Sequence, residues 1–329
     1  MSVAQFMAAA NAEYYATRAS VGADGDFITA PEISQMFGEL IGVWLTDLWD
    51  RAGRPAVHYV ELGPGRGTLA VDAGRAMARG GMKLVEHLVE TSPRLRDEQR
   101  RVLPGAIWHD DITTLPKDGA LVVVCNEFFD ALPVQQLVRA PDGWRQRMVA
   151  CQDTLFLPVS GKLVPETIVP ESLRDAPVGS IVETSPPGVA IIRALSQRLE
   201  RQGGAVLVVD YGYDGPAAGE TLQAVRHHQP ANPFDAPGTV DLSAHVDFAT
   251  LGAAATLTGS IVHGPVSQRD FLGSMGIAAR AAALARQSPA RADEIVAAHQ
   301  RLTAPDAMGI LFRAMAITAR NWPIPSGFS

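Results

Sequence analysis

The stretch VELGPGRGTLA, residues 60–70, decides the fold. It joins a short apolar run at 57–62 to a helical pattern at 68–79. Glycines between a strand and a helix allow a tight turn, and they let a ligand lie against bare main chain at the helix N-terminus. The glycines of this turn are Gly63, Gly65 and Gly67. The stretch therefore predicts a ligand site on an α/β fold.

Strands and helices continue to alternate beyond this turn. Further apolar runs of strand length lie at 83–90, 106–112, 119–128, 203–212, 260–266 and 309–319. Helical patterns lie at 92–103, 187–202 and 241–257. The alternation predicts a parallel, doubly wound sheet. With the run at 57–62, the count is seven strands in a Rossmann-like α/β fold.

The region at 135–186 departs from this alternation. A Pro-Asp-Gly turn at 141–143 separates two alternating segments, which indicates a β-hairpin inside an inserted antiparallel β flap. A loop rich in proline and polar residues is expected up to about residue 240. The stretch 267–304 is expected to be a mostly helical insertion.

The N-terminal part contains an amphipathic helix at 31–50, and Thr29 and Glu32 have the spacing of a capping box at its start. We therefore expect four parts in the chain. They are a helical lid at 1–54, a core sheet with its helices at 55–134, 187–266 and 305–329, a flap at 135–186 and a helical insertion at 267–304.

Composition excludes several classes of protein. The chain has 329 residues and a net charge of −7, so it is not built to coat nucleic acid. No apolar run reaches the roughly 18 residues of a membrane-spanning helix. Cys125 and Cys151 provide no disulfide framework and no zinc spacing. Since neither a secretory signal nor a presequence is visible, we expect a cytoplasmic bacterial protein.

The glycine turn also limits the choice of ligand. Its third glycine comes one residue too early for a dinucleotide fingerprint, and no Walker-type lysine follows. Glu61 precedes the first glycine and suits a cationic ligand such as S-adenosylmethionine, which carries an ammonium and a sulfonium group. Glu90, at the end of the second strand, suits the ribose hydroxyls.

The third strand ends in Asp110, Asp111 and Ile112, which suit the adenine amino group and the adenine ring. Each acid alone is equally well read as a helix N-cap or a solvated loop residue. Acidic residues at the carboxyl ends of three successive strands, beside one glycine turn, together favour a cofactor site.

The chain resembles the MidA family of S-adenosylmethionine-dependent methyltransferases. The matching segments are GDFITAPEISQMFGEL (25–40), VELGPGRGTL (60–69), VETSPRLRDEQ (89–99), NEFFDALPVQ (126–135), VVDYG (208–212), PGTVDLSAHVDF (237–248) and APDAMGILF (304–312). The resemblance implies S-adenosylmethionine as cofactor and methylation of an arginine in a partner protein, such as a subunit of respiratory complex I. It adds Thr29, Pro31 and Asn126 to the cofactor-binding residues.

Residues after the fourth and fifth strands are the catalytic candidates. These are Asn126, Glu127, Asp130 and Asp210. A guanidinium substrate needs carboxylates that hold its planar fork, and we assign that role to Glu127 and Asp130. Asp130 is alternatively the cap of a helix beginning at Ala131.

Several other polar residues have more ordinary interpretations. We expect Glu39 on a solvated helix face, and Arg66 either at the surface or paired with Glu61. His228 and His245 fit no metal signature, so no metal is predicted.

Three other functions stay open at this point. The chain could be a silent assembly chaperone that retains the methyltransferase fold, or a small-molecule methyltransferase. A nicotinamide oxidoreductase is disfavoured by the position of the third glycine. The sequence is compatible with a homodimer but does not fix the oligomeric state.

Overall fold

The structure is a computed structural model that describes residues 1–17, 28–226 and 229–328. The helices are α1 (Val3–Thr17), α2 (Ala30–Ile33), α3 (Gln35–Arg51), α4 (Thr68–Arg79), α5 (Pro93–Val102), α6 (Pro186–Gln202), α7 (Phe248–Thr256), α8 (Gln268–Ser274), α9 (Ile277–Gln287), α10 (Ala292–Thr303) and α11 (Met308–Leu311). Short 3-10 helices lie at Ile112–Thr114, Glu166–Ile168, Glu171–Leu173 and Pro289–Arg291.

The strands are β1 (Val57–Leu62), β2 (Glu86–Val89), β3 (Ile107–His109), β4 (Ala120–Asn126), β5 (Gln135–Ala140), β6 (Gly143–Gln152), β7 (Leu155–Leu163), β8 (Ile181–Thr184), β9 (Gly204–Tyr213), β10 (Gln223–Arg226), β11 (Gln229–Ala231), β12 (Asp241–Ser243), β13 (Val246–Asp247), β14 (Ile261–Ser267) and β15 (Phe312–Thr318).

The chain divides into two compact units. The large unit comprises Ile28–Phe128, Ile192–Gly212 and Gly252–Ser329, and the small unit comprises Met1–Phe27, Phe129–Ile191 and Tyr213–Leu251. The boundaries differ from the ranges expected from sequence, because the expected lid at 1–54 is divided between the units. Within the small unit α1 contacts β5, β6 and β12, whereas within the large unit α3 packs on α4.

A seven-strand path in the order β14-β15-β9-β4-β1-β2-β3 forms the sheet of the large unit. Strands β9, β4, β1, β2 and β3 are parallel neighbours, and β15 runs antiparallel between β14 and β9. The parallel strands are apolar along their length because helices cover both faces of such a sheet. The predicted α/β class and the seven strands are confirmed.

Two glycines allow α3 to approach α4 closely. A Cβ atom added at Gly38 would lie 2.6 Å from the Asp72 Cβ, and one added at Gly42 would lie 2.4 Å from the Ala73 carbonyl oxygen. Helix backbones can approach this closely only where side chains are missing. This packing fixes the helix that follows the glycine turn.

The predicted capping box at the start of the N-terminal helix is wrong. Thr29 makes no side-chain cap, and Ser34 interrupts the helix in an extended conformation. The Ser34 hydroxyl accepts a 3.2 Å hydrogen bond from the Met36 amide and so caps α3. Glu32 instead accepts a hydrogen bond from the Thr68 hydroxyl at the start of α4.

The small unit contains two antiparallel sheets, ordered β7-β6-β5-β8 and β11-β10-β12. The Pro-Asp-Gly turn joins β5 to β6, with Ala140 opposite Gly143. An apolar core packs α1 against these sheets, and its largest side chains include Phe6, Met7 and Phe234.

The expected loop up to residue 240 and the expected helix at 241–257 are wrong in part. Strands β10 and β12 pair within the small unit, and the helix begins only at Phe248. Asn11 explains why the segment is extended: its side chain donates to the Leu242 carbonyl at 2.7 Å and accepts from the Leu242 amide at 2.9 Å. This pairing comes from a residue 231 positions away.

Candidate cofactor site

The predicted cofactor residues of the large unit meet at one edge of its sheet. Leu62 in β1 pairs with Val89 and Cys125, and Val89 pairs with His109. The next residue of each strand therefore lies at the same level, which brings together Gly63, Glu90, Asp110 and Asn126. This is the carboxyl edge, and β1 lies between β2 and β4 where the strand order reverses. Ligands of open α/β sheets bind at such a position.

The glycine turn has a backbone that side chains disfavour. Gly63, Gly65 and Gly67 have φ values of 63°, 52° and 85°. A Cβ atom at Gly63 would lie 2.9 Å from Cδ2 of Phe128, so the ring lies directly against bare main chain. The turn therefore requires glycine for its conformation and, at Gly63, for space.

Gln99 supports the glycine turn and was missed by the sequence reasoning. Its fully buried side chain donates a 2.7 Å hydrogen bond to the Gly65 carbonyl and accepts one of 2.8 Å from the Trp108 indole. A glutamine on a polar helix such as α5 gives no sequence signal for this role. It acts on the site by holding the turn in position.

Glu61 lies buried below the turn. The Tyr59 hydroxyl donates a 2.7 Å hydrogen bond to its Oε2 atom. Burial raises the pKa of the Glu61 carboxyl to about 8, although the hydrogen bond from Tyr59 opposes this shift. A cationic group bound beside this carboxyl would favour its ionised form.

Glu90 is also buried. Its Oε1 atom accepts a 2.8 Å hydrogen bond from the Ser92 amide, and its backbone carbonyl oxygen accepts one of 2.7 Å from Arg96 Nε. Burial raises the pKa of the Glu90 carboxyl, and hydrogen bonds from the following backbone lower it. Arg96 also pairs with the exposed Asp110 at 2.7 Å, so it ties together the ends of β2 and β3.

Asp111 caps the 3-10 helix that begins at Ile112. Its Oδ1 atom accepts the Thr113 amide at 2.7 Å, and the hydrogen bonds from Thr113 lower the pKa of this carboxyl. The carboxylate is exposed, and the cap occupies one of its two oxygens. Within the part of the chain that the structure describes, its Oδ2 atom accepts no hydrogen bond, so this oxygen can accept one from a ligand.

Asn126 and Glu127 form the end of β4. Asn126 is buried, and among the described residues its Oδ1 atom has no hydrogen-bond donor. Glu127 has a φ of 48°, which is rare for a residue with a side chain. Its Oε1 atom accepts the Ala30 amide at 2.9 Å. Unusual backbone of this kind persists where the surrounding structure enforces it and is common at functional sites.

Asp210 is fully buried at the end of β9. Its Oδ2 atom accepts the Phe128 amide at 3.2 Å, and its Oδ1 atom accepts the Tyr211 amide at 3.0 Å. These hydrogen bonds tie Asp210 to the segment after β4, and the catalytic role predicted for Asp210 stays a prediction.

The N-terminal segment of the large unit also reaches this region. Pro31 is buried in α2, and Thr29 precedes it. The surface position expected for Arg66 is confirmed, and the alternative of a pair with Glu61 is wrong, because its guanidinium lies 3.8 Å from Glu32 and 3.5 Å from Glu98. The expected solvated position of Glu39 is also wrong.

Glu39 is buried and forms a bidentate ion pair with Arg280, with distances of 2.8 and 2.9 Å. Its partner comes from α9, a helix that the sequence alone does not bring close to α3. The pair is part of the packing of the large unit.

The remaining candidates belong to the small unit. Asp130 is buried in a turn, and the predicted alternative of a helix beginning at Ala131 is wrong. Asp130 and Asp241 both raise the pKa of Tyr15, whose burial is the larger cause. Burial lowers the pKa of His245. His228 lies outside the described residues.

The groups of the large-unit edge fit S-adenosylmethionine. A buried carboxyl lies beside the glycine turn, a second carboxyl ends the neighbouring strand, and the buried Asn126 Oδ1 is available to a donor. A glycine turn between a strand and a helix is also the kind of backbone against which such ligands lie in open α/β sheets.

Comparisons with known proteins agree with this fit. A family of S-adenosyl-L-methionine-dependent methyltransferases matches residues 40–266. A protein from Xenopus laevis named protein arginine methyltransferase NDUFAF7, mitochondrial, is 35% identical over 94% of this chain and 78% of its own length. The human protein of that name is 35% identical over 92% of this chain and 76% of its own length.

A solved structure resembles nearly the whole chain. It is a superfamily member from Burkholderia thailandensis bound to S-adenosylhomocysteine, with 26% identity and a TM-score of 0.86. The match covers 99% of this chain and 89% of that one. S-adenosyl-L-methionine is therefore the cofactor, as predicted.

The expected cytoplasmic location is contradicted by the relatives, which are mitochondrial proteins. Among the residues that the structure describes, no helix is long and apolar enough to cross a membrane.

The sequence motifs, the seven-strand sheet, the glycine turn and these similarities lead to one conclusion. The chain belongs to the family of S-adenosyl-L-methionine-dependent methyltransferases, and the predicted resemblance to the MidA family is confirmed.

Proposed function

We propose that this enzyme methylates an arginine side chain of a partner protein, and that the partner is a subunit of respiratory complex I. The observation that carries the proposal is the identity of about 35% to proteins named protein arginine methyltransferase, over more than nine-tenths of this chain. Identity of this extent across the fold favours a shared type of acceptor.

The roles of the cofactor residues follow from their positions. Glu61 binds the ammonium group of the cofactor, and the turn formed by Gly63, Gly65 and Gly67 accommodates its chain. Glu90 binds the ribose hydroxyls through its carboxyl group, directly after β2. The outer oxygen of Asp111 and the Ile112 side chain contact the adenine, with Asp110 beside them, while Thr29 and Pro31 cover the site from the N-terminal segment.

The bound cofactor supplies a methyl group on a sulfonium centre. The protein must orient the acceptor nitrogen along the line of the breaking bond and exclude water. The buried Oδ1 atom of Asn126 accepts a hydrogen bond from a donor group of the bound ligand. Glu127 and Asp130 contribute negative charge for a guanidinium, and Asp210 holds the backbone that carries them.

The acceptor is tested by transfer of a labelled methyl group. The purified enzyme is incubated with S-adenosyl-L-methionine, labelled on the methyl carbon, and an extract from a strain that lacks the gene. We expect label in protein arginine. Asn126→Ala should reduce the transfer, and Asn232→Ala, an exposed change in the small unit, should not.

Two outcomes would contradict the proposal. Label that appears only in small molecules would indicate a small-molecule methyltransferase. Capture of the partner without transfer of label, by the wild type and by Asn126→Ala alike, would indicate a silent assembly chaperone.

A further inference from the structure

Helix α2 is a single turn that connects two parts of the cofactor site. The Thr29 carbonyl oxygen accepts hydrogen bonds from the amides of Glu32 at 2.9 Å and Ile33 at 3.1 Å, and these bonds close the turn. Pro31 lies between Ala30 and Glu32 and restricts its backbone dihedral φ to a narrow range. Since the turn is closed and contains a proline, its first and third residues move together.

The first residue of α2 is bonded to Glu127. The amide of a first helical residue has no acceptor within its own helix. The buried Ala30 donates a 2.9 Å hydrogen bond from its amide to Oε1 of Glu127, the residue directly after β4. The Glu127 backbone has a φ of 48°, a conformation that persists only where the surrounding structure enforces it. The position of the Glu127 carboxylate therefore depends on where α2 lies.

The third residue of α2 is bonded to the start of α4. Oε1 of Glu32 accepts a hydrogen bond from the hydroxyl of Thr68, the first residue of α4. Oε2 of Glu32 lies 3.8 Å from Nη1 of Arg66, inside the glycine turn. The N-cap of α4 is Gly67, which has no side chain to accept from the first amides. A carboxylate near these amides stabilises the start of the helix, so Glu32 supports the glycine turn.

Two hydrogen bonds thus link the glycine turn to the end of β4 through residues 30–32. All of these groups belong to the large unit. A ligand of an open α/β sheet lies against such a turn, and its binding restricts the start of the following helix. A coupling free energy between two sites is reciprocal, so a restriction that reaches Glu127 through α2 must also act from Glu127 on the turn.

We propose that Glu32 is a positioning residue, which couples cofactor binding at the glycine turn to the placement of the Glu127 carboxylate. Glu32 acts through the Thr68 hydroxyl on one side and through α2 on the other. The start of α4 is fixed when the cofactor binds, and α2 then holds Glu127 in position for the acceptor. The inference goes beyond the proposed function, since it applies to any acceptor that Glu127 orients.

The test measures deuterium exchange of the Ala30 backbone amide by NMR, in the full chain, with and without saturating S-adenosylhomocysteine. In the wild type the ligand should slow this exchange about tenfold, because it stabilises the bond to Glu127. Thr68→Val keeps the shape of the side chain but lacks the hydroxyl, so the slowing should disappear. Thr68→Ser retains the hydroxyl and should restore the slowing. Thr256→Val, an exposed change at the end of α7, should behave like the wild type.

Glu32 itself provides a second pair of variants. Glu32→Ala removes the acceptor of the Thr68 hydroxyl and should abolish the slowing at Ala30. Glu32→Gln retains an oxygen for that hydroxyl and should keep most of the slowing. A structural role of Glu32 confined to the start of α4 would change the exchange of α4 amides but leave Ala30 as in the wild type, which would contradict the coupling.

A double-mutant cycle tests the reciprocal effect, with the affinity for S-adenosylhomocysteine measured by calorimetry. Glu127→Ala removes the acceptor of the Ala30 amide, and it should weaken binding about fivefold in the wild type. The same substitution should have no measurable effect in Thr68→Val, in which the link is already broken.

Three further results would overturn the inference. They are equal slowing at Ala30 in the wild type and Thr68→Val, no slowing in the wild type, and additive effects of Thr68→Val and Glu127→Ala on affinity. None of these measurements uses an acceptor. Label that reaches no protein arginine therefore contradicts the proposed function alone, whereas any of the three results contradicts the coupling alone.

Discussion

The Tyr59 hydroxyl donates a 2.7 Å hydrogen bond to Oε2 of Glu61, two residues further along β1. Both side chains point to the same face of the sheet because strand side chains alternate. The carboxyl of Glu61 is buried next to the glycine turn, and its pKa lies at about 8. Binding of a cationic cofactor therefore depends on how readily Glu61 gives up its proton.

Affinity for S-adenosyl-L-methionine should rise with pH up to about pH 8. Below that pH the Glu61 carboxyl is protonated, and binding of the cofactor ammonium must release the proton. The dissociation constant should fall by up to about tenfold per pH unit. Calorimetry in two buffers of different ionisation enthalpy measures both the affinity and the proton release.

Two variants control this prediction. Glu61→Gln should bind more weakly and without the pH dependence. Tyr59→Phe removes the hydrogen bond that lowers the Glu61 pKa, so its pH dependence should move to higher pH. A wild-type affinity that does not change across this range would show that Glu61 does not bind the ammonium.

Gly63→Ala should destabilise the protein and weaken cofactor binding. The φ of 63° costs an alanine about 1–2 kcal/mol, and the added Cβ atom meets Phe128 at 2.9 Å. Gly81→Ala is the matched control, since it has a φ of 85° and no atom within 4 Å of the added Cβ. Denaturant unfolding should show a loss in both variants, and calorimetry should show weaker cofactor binding only in Gly63→Ala. Equal cofactor affinities would contradict the prediction.

Glu127→Gln and Glu127→Ala should separate the charge of this residue from its hydrogen bond. An amide oxygen can still accept the buried Ala30 amide, so Glu127→Gln should retain the wild-type free energy of unfolding while its kcat falls. Glu127→Ala leaves that amide without its acceptor and should lose about 1–3 kcal/mol of stability. Retention of full kcat by Glu127→Gln would exclude a role for the charge.

Three histidines form a hydrogen-bonded chain across β1, β2 and β3. His58 Nδ1 lies 3.1 Å from His87 Nε2, and His87 Nδ1 lies 2.8 Å from His109 Nε2. Burial lowers the pKa of His87 to about 4, and the neighbouring rings of His58 and His109 add to the shift. His87 thus stays neutral in the folded protein where an ordinary histidine is protonated.

The free energy of unfolding should consequently fall as the pH falls from about 6.5 towards 4. In that pH range His87 binds a proton in the unfolded chain but not in the folded protein. Acid therefore lowers the free energy of unfolding by something on the order of 2 kcal/mol. The loss should be smaller in His87→Gln and unchanged in His299→Gln, a control on α10. Parallel pH profiles for the wild type and His87→Gln would contradict this assignment.

The sequence predicts the sheet of the large unit well because its strands are buried on both faces and therefore read as continuous apolar runs. The glycine turn is equally clear, since its backbone needs residues without a Cβ atom. Prediction fails where distant residues decide the structure. Leu242 is extended because Asn11 pairs with its backbone, and Glu32 bonds Thr68 instead of capping its own helix.

Parts of the site depend on the same kind of distant contact. Gln99 holds Gly65 through a side chain whose position follows only from the packing of α5. Asp210 could be placed at the end of a strand from the sequence, but its two backbone hydrogen bonds could not.

Peptide mapping of respiratory complex I subunits from a strain that lacks the gene tests the proposed acceptor most directly. The account predicts an arginine that carries methyl groups in the parent strain and loses their mass in the deletion strain. The wild-type gene should restore the modification, and Glu127→Gln, which should fold normally, should restore it only in part. Unchanged arginine methylation of these subunits in the deletion strain would contradict the account.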